Sequence, residues 1–487
     1  MITILGLGPG GAHLLTREAW DILNASRRIY LRTRRHPTVA ELPPHLDLQD
    51  FDALYERGAR FEDVYAEIAE RVIAAAQASP EGVVYAVPGH PLVGETSVYL
   101  IMKRARDLSI PIRLVAGLSF IEPSLERLAA SDAGVGDPLD GLQLCDGLAL
   151  AAMHHPPLNP DQPALIAQVY SRAVAADLKL TLMNQYPPLH EVWVVREGAS
   201  PRTTTLAALD HSDEFDHLTS LYLPPLPRAG SFEALQETVA HLRAPEGCPW
   251  DREQTHQSLR STLLEEAYEV LAAIDADDLD ALREELGDLL LNVVMQAQIA
   301  TESETFRMGD VIADLIAKLR RRHPHVFGDA VANTAEQVVA NWNAIKQQEK
   351  GRQARSVLDG IPHALPALAQ AQKMARRAEQ AGFRWNSHDE RLAKVREELE
   401  EVINARDPGH RAEEFGDLIF TIADWADGYG IDIEAAARVA NQKFARRFRR
   451  LEQLAQARGL SLSEMSSEAK RTLWQQAKDD DALYAGD

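Results

Sequence analysis

Leu264-Glu265-Glu266-Ala267-Tyr268-Glu269 is followed by Glu284-Glu285-Leu286-Gly287-Asp288-Leu289. The pair of patterns returns as Arg396-Glu397-Glu398-Leu399-Glu400-Glu401 and Glu413-Glu414-Phe415-Gly416-Asp417-Leu418. Each copy reads EExxE and then ExxD. Residues i and i+3 or i+4 share one face of an α-helix, so Glu266 projects with Glu269, and Glu285 with Asp288. Two such helices side by side bring four carboxylates to one point. At about 4 Å, each pair of unit charges repels by roughly 4 kcal/mol at an effective dielectric near 20. A divalent cation makes the arrangement favourable, and oxygen-only ligands without Cys or His point to Mg2+ or Mn2+.

The repeat extends beyond the acids. Glu269 recurs as Glu401 after 132 residues and Asp288 as Asp417 after 129. Lys318-x-x-x-Arg322 returns as Lys443-x-x-x-Arg447, and Trp342-x-x-x-Lys346 as Trp474-x-x-x-Lys478. From Ser231 onward the sequence is rich in Ala, Leu, Glu and Arg at helical spacing, which predicts an all-α region. Its two copies are expected over 231–350 and 367–487, joined by Gly351–Pro366.

Upstream, short β-like runs alternate with helical stretches, the signature of an α/β sheet domain over residues 1–223. The expected strands are Ile2–Leu5, Arg28–Leu31, Val83–Ala86, Ile112–Val115, Lys179–Met183 and Glu191–Val195, with a helix over Val64–Ala76. Pro224–Gly230 reads as a linker. The fold class is therefore multidomain: α/β, then a tandem all-α repeat.

The 487 residues carry 73 acidic and 51 basic side chains, a formal charge of −22. That balance argues against nonspecific binding to nucleic acid or to an anionic membrane. Cys145 and Cys248 are the only cysteines, too few for a disulfide framework or a zinc site. No apolar run is long enough to span a bilayer and no signal-like segment opens the chain, so a cytoplasmic location is expected.

The basic pairs complement the acids. Lys318 and Arg322, like Lys443 and Arg447, lie one helical turn apart; Arg grips phosphate oxygens in pairs and Lys acts as a point charge. Trp342 with Lys346, and Trp474 with Lys478, offer a flat face for a base and a further phosphate contact. Together they describe metal-assisted attack on a polyphosphate. Any one of these elements alone is an ordinary solvated helix face; four in the same order, twice, are not.

With these motifs the sequence resembles the MazG family of nucleoside triphosphate pyrophosphohydrolases, over about Phe232–Asp487. Gly247-Cys248-Pro249-Trp250-Asp251, Arg321-Arg322-His323-Pro324-His325-Val326-Phe327 and Lys443-Phe444-Ala445-Arg446-Arg447-Phe448 carry the resemblance further. It implies an all-α, Mg2+-dependent homodimer or higher homo-oligomer that cleaves NTPs to monophosphate and pyrophosphate. It also implies that the second copy is the active one. On that reading Glu398, Glu401, Glu414 and Asp417 are catalytic metal ligands, with Glu266, Glu269, Glu285 and Asp288 their first-copy equivalents. Lys443, Arg447, Trp474 and Lys478 are nucleotide contacts, matched by Lys318, Arg322, Trp342 and Lys346.

In the amino-terminal part three glycine turns follow strands: Gly6-Leu7-Gly8-Pro9-Gly10-Gly11, Val87-Pro88-Gly89-His90-Pro91 and Ala116-Gly117-Leu118-Ser119. Glycine lets a ligand approach the backbone at a strand end. The set resembles the tetrapyrrole (corrin/porphyrin) methylase family over residues 1–223. That resemblance implies S-adenosylmethionine held by Gly6, Gly8, Pro9, Gly10, Pro88, Gly89, His90, Gly117 and Ser119. His90 stands where that family usually has Asp, which leaves the methyl acceptor open. An alternative for the whole chain is a methyltransferase whose helical half dimerises it or senses nucleotides.

Overall fold

The structure is a computed structural model that describes residues 1–57, 60–350 and 356–484. Part of the expected connector, residues 351–355, and the last three residues lie outside these. The strands are β1 (Ile2–Gly6), β2 (Arg28–Leu31), β3 (Asp47–Asp50), β4 (Val83–Val87), β5 (Ile112–Val115), β6 (Gln143–Asp146), β7 (Ala164–Ala167), β8 (Glu191–Arg196), β9 (Arg202–Thr205) and β10 (Thr219–Leu223). Among them run α1 (Arg17–Ala25), α2 (Asp52–Tyr55), α3 (Phe61–Ala78), α4 (Thr96–Asp107), α5 (Ile121–Ala129), α6 (Gly147–Ala151) and α7 (Arg172–Leu182). Helices alone follow: α8 (Phe232–Arg243), α9 (Pro249–Glu253), α10 (Arg260–Asp275), α11 (Leu279–Glu302), α12 (Met308–Arg322), α13 (Pro324–Phe327) and α14 (Ala335–Lys350). The second copy supplies α15 (Ala367–Gln380), α16 (His388–Asn404), α17 (Pro408–Gly428), α18 (Ile433–Ala457) and α19 (Ser467–Tyr484).

The chain forms two compact units, Met1–Arg252 and Glu253–Asp487. The first holds two five-stranded sheets. One is wholly parallel, in the order β3-β2-β4-β1-β5; the other, β6-β7-β10-β8-β9, is parallel only between β6 and β7. Alternation along β1 sets the layers. Ile2 and Ile4 pack with Ile68 and Val72 of α3 and Ile101 of α4. Leu5 faces the other way, onto Ala19 and Leu23 of α1.

One expected strand is a helix. Lys179–Met183 alternates in sequence, but it ends α7, which Ser171 caps by accepting from the Val174 N–H. Val174, Ala175, Leu178, Thr181 and Leu182 are buried. That spacing of 1, 4, 7 and 8 is helical, so the preceding turns overrule the local alternation. The expected linker is pinned rather than loose: Asp161 accepts from the backbone N–H groups of Gly230 and Ser231 at 2.7 and 3.1 Å.

In the second unit α10 packs along α11 and α16 along α17, while α18 pairs with α19. Acidic caps start three of these helices. Asp278, Asp407 and Asp432 accept from first-turn N–H groups of α11, α17 and α18. Arg438 on α18 reaches Asp275 on α10 at 3.2 Å, tying the copies together. Among the described residues no helix is long and apolar enough to cross a membrane.

Candidate functional site

The paired helices gather the acids. In the first copy carboxylate oxygens of Glu266, Glu285 and Asp288 lie within 4.8 Å of one another; in the second, those of Glu398, Glu401 and Glu414 do so. Glu269 and Asp417 stand outside these trios, though the charge of Glu269 is felt by both Glu266 and Glu285. Loss of solvent, then hydrogen bonding and repulsion from Glu269, push the Glu266 carboxyl above its ordinary range. Glu285 moves the same way, and so does Glu401 beside Glu398 and Glu414. Raised carboxyls crowded at this distance form a hard, oxygen-only donor set, and it fits Mg2+ or Mn2+.

The basic and aromatic residues lie on the other helices of each copy, Lys318 and Lys443 exposed at the surface. Arg321 and Arg322 of α12 both donate to Glu349 of α14, at 2.6 and 2.5 Å. The Arg322 guanidinium sits 5.4 Å from the Trp342 ring centre and the Lys346 ammonium 4.6 Å from it. In the second copy Arg447 donates to Asp481 at 2.8 Å, and Trp474 packs 5.3 Å from Phe444. Arg322, Trp342 and Lys346 thus meet, and cations already lie over the tryptophan ring expected to offer a face to a base. The trios and these clusters occupy different helices.

In the first unit β4, β1 and β5 are adjacent, so the three glycine turns at their ends converge. Gly8 and Gly89 exchange backbone hydrogen bonds at 3.3 and 2.7 Å. A Cβ on Gly6 would lie 2.5 Å from the Gly89 carbonyl oxygen, and one on Gly117 would meet the same oxygen. Ser119 is buried, its N–H and hydroxyl donating to Glu122. Pro9, Pro88, Gly89 and His90 line a cavity of about 610 Å3. Gly6, Gly8 and Gly117 abut Gly89 and so support the cavity floor without lining it; Gly10 and Ser119 do not line it either.

That cavity holds residues the motifs did not mark. Glu95 is 5% exposed and lies 3.2 Å from Arg32; burial pushes its carboxyl up to about 7 against the pull of the guanidinium. His36 is equally buried, and neither ring nitrogen completes an ordinary hydrogen bond. Burial, with His217 and Arg32 nearby, holds it down at about 4. Gln168, also on the wall, has a left-handed backbone with φ of 63°, a conformation that L side chains rarely adopt.

Comparison with known proteins follows the same division. The tetrapyrrole (corrin/porphyrin) methylase profile matches residues 1–210 and the MazG nucleotide pyrophosphohydrolase domain profile residues 254–327. The uncharacterized protein YabN of Bacillus subtilis (strain 168) is 38% identical over 491 aligned residues, covering 98% of either chain. This chain belongs to the same family of methylase–MazG fusion proteins. Its helical half is 44% identical to the nucleoside triphosphate pyrophosphohydrolase/pyrophosphatase MazG of Thermotoga maritima, over 250 residues, 51% of this chain and 96% of that protein. It is also 44% identical to the nucleoside triphosphate pyrophosphohydrolase of Escherichia coli (strain K12), over 253 residues, 50% of this chain and 96% of that one.

The MazG half also holds partners that the motif reading passed over. Lys394 lies 2.8 Å from Glu398, and His410 lies 3.1 Å from Glu414. Their i, i+4 spacing was visible in the sequence, as was the 132-residue offset between Glu349 and Asp481. In the methylase domain nothing local marks His36 or Gln168, whose place depends on the tertiary fold.

Proposed function

We propose that the chain hydrolyses nucleoside triphosphates to the monophosphate and pyrophosphate, dependent on Mg2+ or Mn2+. The observation that carries this reading is the gathering of three carboxylates between the paired helices of both repeats, with Glu266 and Glu285 matched by Glu398 and Glu414. The names of the relatives at 44% identity support it. Glu266, Glu285 and Asp288, and Glu398, Glu401 and Glu414, would hold the metal, with Glu269 and Asp417 completing the sets. A bound divalent ion supplies charge neutralisation at the phosphate and a more acidic water. Lys318, Arg322 and Lys346, and Lys443, Arg447 and Lys478, bind phosphate oxygens; Trp342 and Trp474 position the base. Product chromatography after incubation with a dNTP tests this. Monophosphate and pyrophosphate should form with Mg2+ and not in EDTA, whereas diphosphate and orthophosphate, or full turnover in chelator, would refute the reading.

We further propose a homodimer. Val311, Ile312, Leu315, Ile316 and Leu319 form one face of α12, each 39–46% exposed. A continuous apolar stripe of this kind calls for a covering helix, and a second copy of this chain is the occupant implied by the family. Sedimentation should give twice the chain mass, reduced to one chain by Leu315→Glu with Ile316→Glu. The methylase domain is proposed to bind S-adenosylmethionine in the cavity beside Pro9, Pro88, Gly89 and His90. The methylase match over residues 1–210 supports this, and calorimetry with S-adenosylhomocysteine on the full chain tests it.

A further inference from the structure

The two carboxylate sets differ in one respect that their sequence motifs conceal. In the second copy the Lys394 ammonium lies 2.8 Å from Glu398 and 2.7 Å from Glu397, and His410 lies 3.1 Å from Glu414. Glu398 is nearly buried, its side chain 7% exposed. Two of the three clustered carboxylates therefore already have a partner from their own helix. In the first copy no ion pair reaches Glu266, Glu269, Glu285 or Asp288 among the described residues. The positions that correspond to Lys394 and His410, by the repeat offsets of 132 and 129, are Thr262 and Ala281. Neither can carry a positive charge.

We propose that the two sets bind divalent metal unequally: the first loads it readily, while in the second Lys394 is a resident counter-cation that a metal ion must displace. This rests on the metal-dependent reading above. A cation entering the first set only relieves repulsion. One entering the second must also break a short, charge-assisted contact to a buried carboxylate, which has to be given up before the metal gains anything. Hydrogen bonds to charged groups of this kind correspond to a difference of about tenfold or more in affinity.

The test uses Mn2+ alone, with the full-length chain stripped of metal and no nucleotide present; free Mn2+ is counted by its electron paramagnetic resonance signal. Two classes of site should appear, separated by about tenfold or more. Glu266→Gln should remove the tighter class and Glu414→Gln the weaker. Lys394→Met keeps most of the length of the side chain and removes its charge, and should tighten the weaker class. Thr262→Lys should loosen the tighter one, an independent measurement should Lys394→Met fail to fold. Equal affinities, loss of the tighter class in Glu414→Gln, or a weaker class that Lys394→Met leaves unmoved or loosens would overturn the proposal. Those results alongside intact Mg2+-dependent hydrolysis would leave the proposed activity standing. No Mn2+ binding in any form of the protein would overturn this inference and the metal reading together.

Discussion

Glu349 and Asp481 hold the same station in successive repeats, 132 residues apart, and each accepts from a pair of adjacent arginines. The contacts clamp α14 to α12 and α19 to α18. They also fix the guanidinium groups of Arg322 and Arg447 in place, and a guanidinium that is already positioned loses less freedom on binding an anion.

The first prediction concerns that clamp. Arg322 and Arg321 hold the Glu349 carboxyl down at about 2. A carboxyl lowered by folding contributes stability that is present above its ordinary 4.5 and lost as pH falls toward 2. Glu349→Gln should therefore lower the melting temperature at pH 7 and make little difference near pH 2. Thermal unfolding followed by circular dichroism checks it. A variant that melts with wild type at pH 7 would show the contact to be a solvated surface pair.

His36 gives a pH dependence of the same sign in a higher window. It sits near 4 in the folded protein against an ordinary value of 6.5. The unfolded chain takes up the proton first, so the stability is complete above pH 6.5 and drains away as pH falls toward 4. The whole difference corresponds to roughly 3 kcal/mol. His36→Gln should flatten urea-unfolding midpoints between pH 4.5 and 7. Parallel profiles for the variant and wild type would contradict the buried, neutral imidazole.

The glycine turns predict a graded series. Alanine at Gly6 or Gly117 would drive a Cβ into the Gly89 carbonyl, backbone against backbone. Neither side can yield cheaply, and a cost of about 3 kcal/mol is expected. Gly89 has φ of 65° with its nearest neighbour at 3.9 Å, so Gly89→Ala should cost only about 1–2 kcal/mol of backbone strain. Being on the cavity wall, Gly89→Ala should instead weaken S-adenosylhomocysteine binding in calorimetry. Equal stability losses at all three positions would remove the distinction between floor and wall.

These glycines show where sequence reasoning reached and where it stopped. A Gly-rich turn after a strand marks a close approach, but whether the approaching group is a ligand or another turn depends on strand order. Only the adjacency of β4, β1 and β5 decides that Gly6 and Gly117 face Gly89. The carboxylate trios were legible because helical periodicity is local: Glu398 and Glu401 share a face whatever surrounds them. Lys179–Met183 misled because five alternating residues fit either period, and the deciding residues, Ser171 to Leu178, lie upstream. The strands at β3, β6, β7, β9 and β10 went unread. β3, β6 and β9 are short, polar edge strands, and β7 and β10 are almost wholly buried, so none of them alternates cleanly in sequence. His36 became visible only when β1, β4 and the following loops enclosed it.

The last prediction separates the repeats. Family resemblance puts activity in the second copy, yet there Lys394 and His410 already pair with Glu398 and Glu414, while among the described residues no cation pairs with the first trio. If metal loading decides which copy works, the answer depends on metal concentration. At limiting Mg2+, Glu266→Gln should reduce hydrolysis severely, by on the order of 100-fold, as expected for a lost metal ligand. Glu401→Gln should cost less there. At saturating Mg2+ the second set fills too, and the two variants should converge or exchange rank. Thermal stability should not fall in either, because each substitution removes one charge from a mutually repelling trio. Initial rates of pyrophosphate release across a Mg2+ series decide between the outcomes. If Glu401→Gln is inactive at every Mg2+ concentration while Glu266→Gln keeps wild-type turnover, catalysis belongs to the second copy and the first is a scaffold. If neither substitution alters the rate, the acids form a solvated face and hydrolysis must be sought elsewhere in the chain.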